Sequence, residues 1–313
     1  MLGPRRDLSG RTEMIRPGAS ALALPWRRAG ANQSEDQAIA TAPALPRATV
    51  LSMRVLVTGA GGFLGGRLVP RLAGAGHAVV AVDREVDVAD HEALAKCVAE
   101  HSPDAVVHLA ALAFVPDSAA APEATFRVNF LGTRSLLEAV RRHAPGARVL
   151  VVSSGTVYGT SALDAPAFDE GAALRPESPY ARTKAAADLL AGAYGESGLD
   201  VVRARPFNHT GRGRPAHFVE ASLAHQIARI ERGLVPPRLA VGNLDAVRDF
   251  LDVEDVVAAY LLLLDRRVPA GAYNVASGIP RTAREVLEAL LALSELAGQG
   301  ARTQVEIAVE PAR

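Results

Sequence analysis

A doubly wound parallel α/β sheet is the fold class that this chain predicts, and three features of its sequence support the prediction. Short apolar runs that suit buried strands recur at 54–57, 77–82, 104–111 and 147–152. Helix-like patterns separate these runs, and the first run leads directly into a glycine-rich turn. Because strands that alternate with helices pair through crossover connections, this pattern predicts a parallel sheet that is covered on both faces.

The composition describes a neutral globular chain that can bury one large or two small cores. Its 313 residues are 49% hydrophobic, and 34 acidic side chains balance 34 basic ones. This balance gives no global field that would attract nucleic acid or a membrane surface, and no apolar run reaches the roughly 18 residues of a membrane span. The single cysteine, Cys97, excludes an internal disulfide and a cysteine-based zinc site. We therefore expect a cytoplasmic protein without a metal.

The first 52 residues differ from the rest of the chain. They contain seven arginines, five prolines and no lysine, and they show no sustained hydrophobic period. The apolar stretch 21–24 is too short for a signal peptide, and four acidic residues argue against a transit peptide. The sequence therefore predicts a disordered leader over 1–52 and a folded protein that starts at Met53.

The glycine-rich turn after the first strand predicts a phosphate-binding cradle. Its glycines have the spacing G-x-x-G-x-x-G, since position 64 is a leucine. A strand before the turn and a helix after it favour dinucleotide binding over a merely flexible turn. The residues predicted to contact the dinucleotide here are Gly59, Gly62, Phe63, Leu64 and Gly65.

Acidic residues after the second strand predict the adenosine end of the same site. Asp83 follows Gly59 by twenty-four residues, and its carboxylate can accept hydrogen bonds from ribose hydroxyls and repel a 2′-phosphate, which favours NADH. Arg84 could instead bind that phosphate, so the choice between NADH and NADPH stays open. Asp87 and the adjacent Val88 are candidates for the adenine pocket, although a helix-capping or solvated Asp87 is an equal alternative.

The third strand and the helix after it add further cofactor candidates. Small residues at Ala110 and Ala111, with Leu109 before them, would let the backbone approach the dinucleotide. His108 is more typical of a packed residue at the end of a strand than of a catalyst. A long helical pattern then runs over 122–143 and carries Asn129, another candidate for cofactor binding.

A tyrosine and a lysine one helical turn apart predict acid chemistry at a carbonyl group. Ser178 and Pro179 are typical of a helix start, so Tyr180 and Lys184 should share a face. An ammonium group near a phenol favours the phenolate and brings the tyrosine toward a working pKa. An ordinary amphipathic helix is the alternative, but the chain has only two lysines against thirty-two arginines. A compact ammonium, which arginine does not imitate, is therefore expected at Lys184.

Ser154 completes this catalytic set. It follows the strand at 147–152, and ligands bind beyond the carboxyl ends of parallel strands. Its hydroxyl can donate a hydrogen bond to a substrate carbonyl oxygen, whereas the common alternative for such a serine is an ordinary turn residue.

With these motifs the chain resembles the extended short-chain dehydrogenase/reductase superfamily over roughly residues 53–310. The matching strings are T-G-A-G-G-F-L-G, S-S-G-T-V-Y-G and Y-A-R-T-K. The strings R-P-F-N-H-T-G at 205–211, V-G-N-L-D-A-V-R-D-F at 241–250 and Y-N-V-A-S-G at 273–278 resemble the GDP-mannose 4,6-dehydratase and GDP-4-dehydro-6-deoxy-D-mannose reductase branch. The resemblance implies an NAD(P)H-dependent enzyme that acts on a GDP-sugar.

One position separates the two activities of this branch. The dehydratases place an acidic residue just after the active-site serine or threonine to help elimination, whereas this chain has Gly155 and Thr156 there. Reduction of a ketone needs only Ser154, Tyr180, Lys184 and a hydride. The resemblance therefore implies the reductase reaction, which converts GDP-4-dehydro-6-deoxy-D-mannose to GDP-D-rhamnose.

The expected substrate contacts come mostly from the second half of the chain. Arg248 is expected to clamp the diphosphate, with a surface ion pair to Asp249 or Asp252 as the alternative. Asn208 is expected to bind the sugar or the diphosphate, with helix capping as its alternative. The full set of predicted substrate contacts is Ser154, Thr156, Asn208, Arg212, Asn243 and Arg248.

The resemblance also implies how the chain is organised. A dinucleotide-binding domain is expected over 53–207 and 246–270, with a substrate-binding cap over 208–245 and 271–313. The branch continues beyond the point that corresponds to the end of this chain, so we expect a cap that is truncated at its C-terminus. Helices near 122–143 and 178–195 are expected to pair in a homodimer.

Two departures and two rival functions accompany this interpretation. The branch usually has a proline and a glutamine after H-T-G, whereas this chain has Arg212 and Arg214, which would alter substrate contacts or add contacts to the diphosphate. The first rival function is a nucleotide-sugar 4-epimerase, which S-G-T-V-Y-G would suit equally well. The second is a cofactor-binding protein that no longer turns over, and the retained Ser, Tyr and Lys argue against it.

Overall fold

A computed structural model describes residues 52–160, 166–294 and 306–309 of the chain. The predicted leader, apart from Ser52, and the last four residues of the expected cap lie outside the described residues. In the described part of the chain, no helix is both long and apolar enough to cross a membrane.

A six-stranded sheet forms the centre of the molecule, and each of its neighbouring strand pairs is parallel. Its strands lie in the order β2, β1, β3, β4, β5, β9. The strands of the described chain are β1 Arg54–Thr58, β2 Ala78–Val82, β3 Ala105–His108, β4 Arg148–Val152, β5 Asp200–Pro206, β6 Asn208–Thr210, β7 Arg238–Val241, β8 Val247–Asp252, β9 Gly271–Val275, β10 Pro280–Thr282 and β11 Glu306–Val309. The four predicted runs correspond to β1, β2, β3 and β4.

Helices cover both faces of this sheet. The helices are α1 Gly65–Gly74, α2 His91–His101, α3 Val115–Ala120, α4 Pro122–Phe126, α5 Gly132–His143, α6 Pro179–Glu196, α7 Val219–Glu231, α8 Val253–Leu263 and α9 Ala283–Leu293. Leu68 of α1 and Tyr260 of α8 pack in the core on one face. Leu94 of α2 and Leu136 of α5 pack in the core on the other face. Each such buried side chain contributes about 1.5–3 kcal/mol, and the predicted doubly wound fold is confirmed.

The helix expected over 122–143 is divided by a change of helical winding. A π-helical turn, Arg127–Leu131, separates α4 from α5. Where α5 begins, a Cβ atom on Gly132 would lie 2.7 Å from Cγ2 of Val88, so glycine allows the helix to approach the loop after β2. Such turns often occur at functional sites, and this one contains the buried Asn129.

A smaller body is built on separate strands. The sheet β10–β8–β6 and the pair β7–β11 are distinct from the central sheet. Leu223 and Ile227 of α7 pack with Leu239 of β7 and Leu287 of α9 in their own core. The expected cap boundary at 271 is wrong, because Gly271–Val275 pairs with β5 as the last strand of the central sheet. Conversely, β8 was expected in the dinucleotide-binding domain but pairs with β6 and β10.

Candidate active site

The glycine turn after β1 is shaped by backbone contacts that exclude side chains. Gly59 has φ +71°, and a Cβ atom there would lie 2.7 Å from the backbone N of Ala110. A Cβ atom on Gly65 would lie 2.4 Å from the carbonyl oxygen of Gly59. The turn therefore brings backbone N–H groups close to the start of α1, which is the geometry that binds a diphosphate.

The end of β2 carries the predicted adenosine-side carboxylate. A Cβ atom on Gly61 would lie 2.4 Å from Oδ2 of Asp83, so Asp83 borders the glycine turn closely. Oε1 of Glu85 accepts a hydrogen bond from the backbone N of Asp83 at 2.7 Å. A cavity of about 350 Å³ is lined by residues of both elements, including Ala60, Gly61, Asp83 and Glu85. Arg84 is exposed beside them.

Asp87 and Val88 make contacts that differ from those expected. The Asp87 carboxylate forms an ion pair with Arg127 and accepts a hydrogen bond from the backbone N of Ala89. The hydrogen bond from Arg127 lowers the pKa of Asp87. Val88 is buried in the core beside Gly132. The proposed adenine contact of Asp87 therefore competes with this ion pair.

Asn129, for which a cofactor contact was predicted, has protein hydrogen-bond partners in the structure. Its side chain is fully buried, its Oδ1 accepts from the backbone N of Leu112 at 2.8 Å, and its Nδ2 donates to the Leu112 carbonyl at 3.1 Å. Nδ2 also donates to the Thr183 hydroxyl on α6 at 3.1 Å. Asn129 thus joins the loop after β3, which contains Leu109, Ala110 and Ala111, to the helix that carries Tyr180.

His108 is a packed residue, as the sequence suggested. Its Nδ1 lies 2.7 Å from the Thr58 hydroxyl and its Nε2 lies 3.1 Å from the Thr133 hydroxyl. Burial and the charge of Lys184 lower the pKa of His108 to about 3. His108 is therefore neutral at physiological pH and joins β1, β3 and α5.

Ser154 and Tyr180 meet at the carboxyl edge of the sheet. The Ser154 hydroxyl accepts hydrogen bonds from the Thr156 hydroxyl at 2.9 Å and from the Thr156 backbone N at 3.2 Å. Because both of these bonds are accepted, the Ser154 hydrogen remains available to donate. Burial raises the pKa of Tyr180, and the Ser154 hydroxyl and the charge of Arg214 oppose that rise.

Lys184 lies one turn after Tyr180 on α6, as predicted. The helix starts as expected, because the Ser178 hydroxyl accepts a hydrogen bond from the backbone N of Ala181 and Pro179 occupies the first turn. Lys184 is buried, and its Nζ donates to the Val152 carbonyl at the end of β4 at 2.7 Å. Burial lowers the pKa of Lys184 to about 8, and the nearby Asp188 opposes this.

Arg214 is a cation that the sequence did not place at this site, and its charge opposes the rise in the pKa of Tyr180 that burial causes. Arg214 lies in the loop 211–218, between β6 and α7. Its guanidinium lies 3.5 Å from the Phe218 ring centre and 5.0 Å from that of Phe63 in the glycine turn. The sequence had marked Arg214 only as a departure from the branch, because nothing in the local pattern shows where a loop arginine points.

Other predicted substrate contacts come from the smaller body. Arg248 is exposed. Hydrogen bonds from Thr160, with a smaller effect of the Arg248 charge, lower the pKa of Glu177, which lies just before α6. The alternative ion pairs of Arg248 are not formed: Asp249 accepts from the backbone N atoms of Ser277 and Gly278, and Asp252 accepts from that of Glu254.

Three further predicted substrate contacts lie on β6 and in two loops. Asn208 is half-buried on β6 opposite Phe250, so it does not cap a helix. Asn243 is exposed, and its Oδ1 accepts a hydrogen bond from the backbone N of Asp245. The Arg212 side chain is exposed, whereas its carbonyl oxygen accepts a hydrogen bond from Arg67 of α1.

A buried polar network joins the motifs behind the catalytic helix. Arg205 donates to both carboxylate oxygens of Asp188, at 2.8 and 2.9 Å, and to the Tyr158 hydroxyl at 2.8 Å. The Tyr158 hydroxyl donates to Oδ1 of Asn274 at 2.7 Å. Each member belongs to a string that carried the resemblance, except Asp188. Their contact is not visible in the sequence, because they come from different elements.

These features define a dinucleotide-dependent enzyme with a serine, a tyrosine and a lysine at the carboxyl edge of a parallel sheet. The glycine cradle, which a single Cβ atom would fill, and the carboxylate of Asp83 fit a nicotinamide dinucleotide. The described residues hold no group of three or more metal-ligating side chains that could bind a metal ion.

The chain belongs to the NAD-dependent epimerase/dehydratase family, whose model matches residues 55–276. This confirms the superfamily resemblance. The chain is 40% identical over 266 residues to GDP-6-deoxy-D-mannose reductase of Pseudomonas aeruginosa, covering 84% of this chain and 85% of the relative. It is 34% identical over 266 residues to dTDP-glucose 4,6-dehydratase of Mycobacterium tuberculosis, covering 78% of each.

Solved structures share the same architecture. RMD from Pseudomonas aeruginosa complexed with NADPH superposes with a TM-score of 0.74 at 38% identity, covering 84% of this chain and 86% of that one. UDP-glucose 4-epimerase of Thermus thermophilus complexed with NAD gives a TM-score of 0.71 at 35% identity, covering 83% of this chain and 87% of that one. The chain is therefore an NAD(P)-binding enzyme of this family.

Proposed function

We propose that this enzyme reduces the C4 ketone of GDP-4-dehydro-6-deoxy-D-mannose to give GDP-D-rhamnose. The relative that is 40% identical over 84% of the chain is a GDP-6-deoxy-D-mannose reductase. The family also contains dehydratases and epimerases. The structure provides a separate argument that distinguishes reduction from elimination.

The observation that carries the proposal is the packing beneath Gly155. A Cβ atom at this position would lie 2.9 Å from the Cγ and Cδ2 atoms of the Phe207 ring. An aromatic ring in a packed site cannot give way as the end of a flexible side chain can. An acidic side chain at 155 is therefore excluded unless Phe207 moves, and Thr156 supplies no carboxylate either. The dehydratase elimination would therefore lack the acidic side chain that it uses at 155 or 156. Ketone reduction does not need an acidic side chain at these positions.

The chain's own residues can direct the reduction. When bound, the reduced nicotinamide supplies the hydride that adds to the carbonyl carbon. Ser154 donates a hydrogen bond to the carbonyl oxygen and stabilises the negative charge that develops on it. Tyr180 transfers its phenolic proton to the same oxygen, which leaves a phenolate. Lys184 would hold the cofactor ribose near Tyr180.

Carboxylates at the adenosine end favour NADH. Asp83 and Glu85 bring two carboxylates to the cavity beside the glycine turn, and these charges would repel the 2′-phosphate of a bound NADPH. Arg84 is the opposing cation, and the similar RMD was solved with NADPH. The backbone of Gly59, Gly62, Phe63, Leu64 and Gly65 would hold the diphosphate in either case.

The smaller body would close over the sugar nucleotide. Arg67 of α1 donates to the carbonyls of Phe63, at 2.8 Å, and of Arg212, so the glycine turn is tied to the loop after β6. The exposed Arg248 is available to bind the substrate diphosphate. With the corrected boundaries, the cap consists of β6 to β8 with α7, and of β10, α9 and β11 among the described residues.

A homodimer through α4 and α6 is supported by exposed apolar side chains. Phe126 of α4 is 44% exposed and stacks on Phe130 with ring centres 4.9 Å apart, and Leu189 of α6 is 61% exposed. Leu189→Asp should convert the dimer to a monomer in sedimentation experiments. Leu262→Asp on α8, where the leucine is 43% exposed, is the matched control and should leave the assembly unchanged. A cytoplasmic location fits the lone cysteine.

The activity is tested by measuring product formation and cofactor consumption with three different substrates. The purified enzyme with GDP-4-dehydro-6-deoxy-D-mannose should consume NADH or NADPH in a one-to-one ratio with the product. Interconversion of UDP-glucose and UDP-galactose without net consumption would establish the epimerase instead. Formation of a keto sugar from GDP-mannose would establish the dehydratase.

A further inference from the structure

Ser154 begins a 3₁₀ turn, Gly155–Tyr158, at the carboxyl end of β4. The backbone N of Val157 donates to the Ser154 carbonyl at 3.2 Å, so the two ends of this turn are joined. Tyr158 is buried, and its ring stacks on the Phe168 ring with ring centres 4.9 Å apart. The position of Ser154 therefore depends on how the Tyr158 end of the turn is held.

Two strands of the central sheet hold the Tyr158 hydroxyl. It accepts a hydrogen bond from the Arg205 guanidinium on β5 at 2.8 Å and donates one to Oδ1 of Asn274 on β9 at 2.7 Å. The Asn274 side chain also donates to the Phe168 carbonyl at 2.9 Å, and Arg205 also donates to the Glu170 carbonyl at 3.0 Å. A buried hydroxyl that both accepts and donates has a fixed place.

Arg205 connects this hydroxyl to the catalytic helix. Asp188 lies on α6 one turn after Lys184 and is fully buried. Arg205 donates to both oxygens of this carboxylate, at 2.8 and 2.9 Å, and Arg203 donates to one of them at 3.0 Å. Burial would raise the pKa of Asp188, but the hydrogen bonds from Arg205 outweigh it and lower the pKa, so the carboxylate is charged. The planar guanidinium fork can hold a carboxylate and a hydroxyl at the same time.

The catalytic helix is thus bound to the chain on both sides of Ser154. Before the serine, Lys184 donates to the Val152 carbonyl at 2.7 Å. After the serine, the connection runs through what we call the Tyr158 network, whose members are Tyr158, Arg205, Asp188 and Asn274. These contacts fix the serine turn relative to α6, which also carries Tyr180.

We propose that the Tyr158 network positions the Ser154 hydroxyl relative to the Tyr180 phenol, so that both groups reach the same carbonyl oxygen. The inference rests on the proposed reduction, in which Ser154 stabilises the charge on that oxygen and Tyr180 supplies the proton. Misplacement of a reacting group by about 1 Å can cost about 10²-fold in rate. Loss of one hydrogen bond of the network should therefore slow the reaction while substrate and cofactor still bind.

Two variants disturb the network and keep its charges. Tyr158→Phe keeps the ring and its stacking but removes the hydroxyl that joins Arg205 to Asn274. Arg205→Lys keeps a positive charge beside Asp188 but replaces the planar fork with a single ammonium group. Thermal unfolding of each variant checks that the fold is retained.

Two control variants match these changes. Arg148 is also a buried arginine, and it lies on the neighbouring strand β4, where it donates to the carbonyls of Leu263 and Val268. Arg148→Lys is therefore the control for Arg205→Lys. Tyr194→Phe removes a hydroxyl that bonds Glu138 and is the control for Tyr158→Phe.

The first experiment needs no substrate and measures the free energy of unfolding by urea denaturation. Because Tyr158 and Arg205 are in contact, the loss in the double variant Tyr158→Phe with Arg205→Lys should be smaller than the sum of the two single losses. Tyr158→Phe with Arg148→Lys should be additive, since these side chains share no partner. Additive losses in both pairs would overturn the proposal.

The second experiment tests whether the network acts through Ser154. Tyr158→Phe and Arg205→Lys should each lower kcat several-fold, with little change in KM for the GDP-sugar or in Kd for the reduced cofactor. When Ser154→Ala is already present, Tyr158→Phe should lower kcat no further, because the group that the network positions is missing. Tyr194→Phe should keep the wild-type kcat. An equal fractional loss of kcat with and without Ser154 would indicate a general structural role and contradict the proposal.

The positioning role and the proposed function fail in different ways. If the wild type reduces the ketone and Tyr158→Phe does so at the same rate, the network has no positioning role and the reductase assignment stands. If the wild type instead epimerises UDP-glucose or dehydrates GDP-mannose, the reductase assignment fails, and the comparison with and without Ser154 is made on that reaction. A wild type that turns over none of these substrates would overturn both.

Discussion

The glycine turn after β1 and the loop 211–218 contribute different kinds of group to the site. On the side of β1 and β2, the site consists of backbone, and its shape depends on positions that carry no Cβ atom, such as Gly59 and Gly65. In contrast, the loop 211–218 contributes side chains, and its shape depends on aromatic rings around Arg214. The first side suits a ligand that is the same throughout the family, whereas the second can change with the substrate.

Tyr180 is the proposed proton donor, and its replacement is expected to have the largest effect. Tyr180→Phe keeps the ring and its packing but removes the proton, so kcat should fall by about 10²-fold or more. Tyr194→Phe on the same helix removes a hydroxyl that bonds Glu138 and is the matched control. Equal kcat values for the two variants, measured with unchanged thermal unfolding, would remove Tyr180 from the mechanism.

A single added methyl group should disrupt the glycine turn. In Gly65→Ala the new Cβ atom would lie 2.4 Å from the Gly59 carbonyl oxygen, and we expect a loss of about 1–3 kcal/mol in the free energy of unfolding, with weaker cofactor binding. In the adjacent Gly66→Ala the new Cβ atom would have no neighbour within 4 Å. Because alanine has a higher helix propensity than glycine, the free energy of unfolding should rise by up to about 1 kcal/mol. Urea denaturation measures both, and similar effects of the two variants would contradict the cradle geometry.

Lys184 should give the catalytic helix a characteristic dependence on pH. Its pKa is about 8 in the folded protein and about 10.5 when unfolded, so between these values the unfolded chain binds more protons. The stability of the wild type relative to Lys184→Met should therefore rise with pH in this window, by up to about 1.4 kcal/mol per pH unit. If the stabilities of the wild type and Lys184→Met changed with pH in parallel, Lys184 would not be desolvated in the folded protein. Lys96→Met, at the exposed lysine, is the control and should follow the wild type.

The smallest expected effect concerns the choice of cofactor. Asp83→Ser removes an acceptor for the ribose hydroxyls and a repulsive neighbour of a 2′-phosphate. The ratio of the affinities for NADPH and NADH should rise several-fold, as measured by fluorescence titration of each reduced cofactor. An unchanged ratio would mean that Asp83 does not lie at the ribose.

The contrast between the two sides also explains how much the sequence could predict. The strands, the glycine cradle and the pair Tyr180 and Lys184 follow from local spacing, because strand, turn and helix geometry place such residues without knowledge of the rest of the chain. The positions of Phe207 and Arg214 depend on packing between distant elements. The hydrogen bond of Asn129 could not be predicted for the same reason, since its partner Thr183 lies on another helix.

The strand assignments show a related limit. The run at 271–275 looked like part of the cap because it follows α8 and belongs to a motif of the branch. In the structure it pairs with β5, and β8 pairs with the small sheet. An apolar run indicates that a strand exists, but pairing between distant strands decides which sheet it joins.

The most direct test of the account is isotope transfer from the reduced nicotinamide. The enzyme is incubated with GDP-4-dehydro-6-deoxy-D-mannose and a cofactor that carries deuterium at the transferring position, and the product sugar is analysed by mass spectrometry and NMR. The account predicts one deuterium on C4 for each cofactor oxidised, and none in Tyr180→Phe beyond its residual rate. A sugar whose configuration changes without gaining deuterium, or without consuming the reduced cofactor, would contradict the reductase assignment.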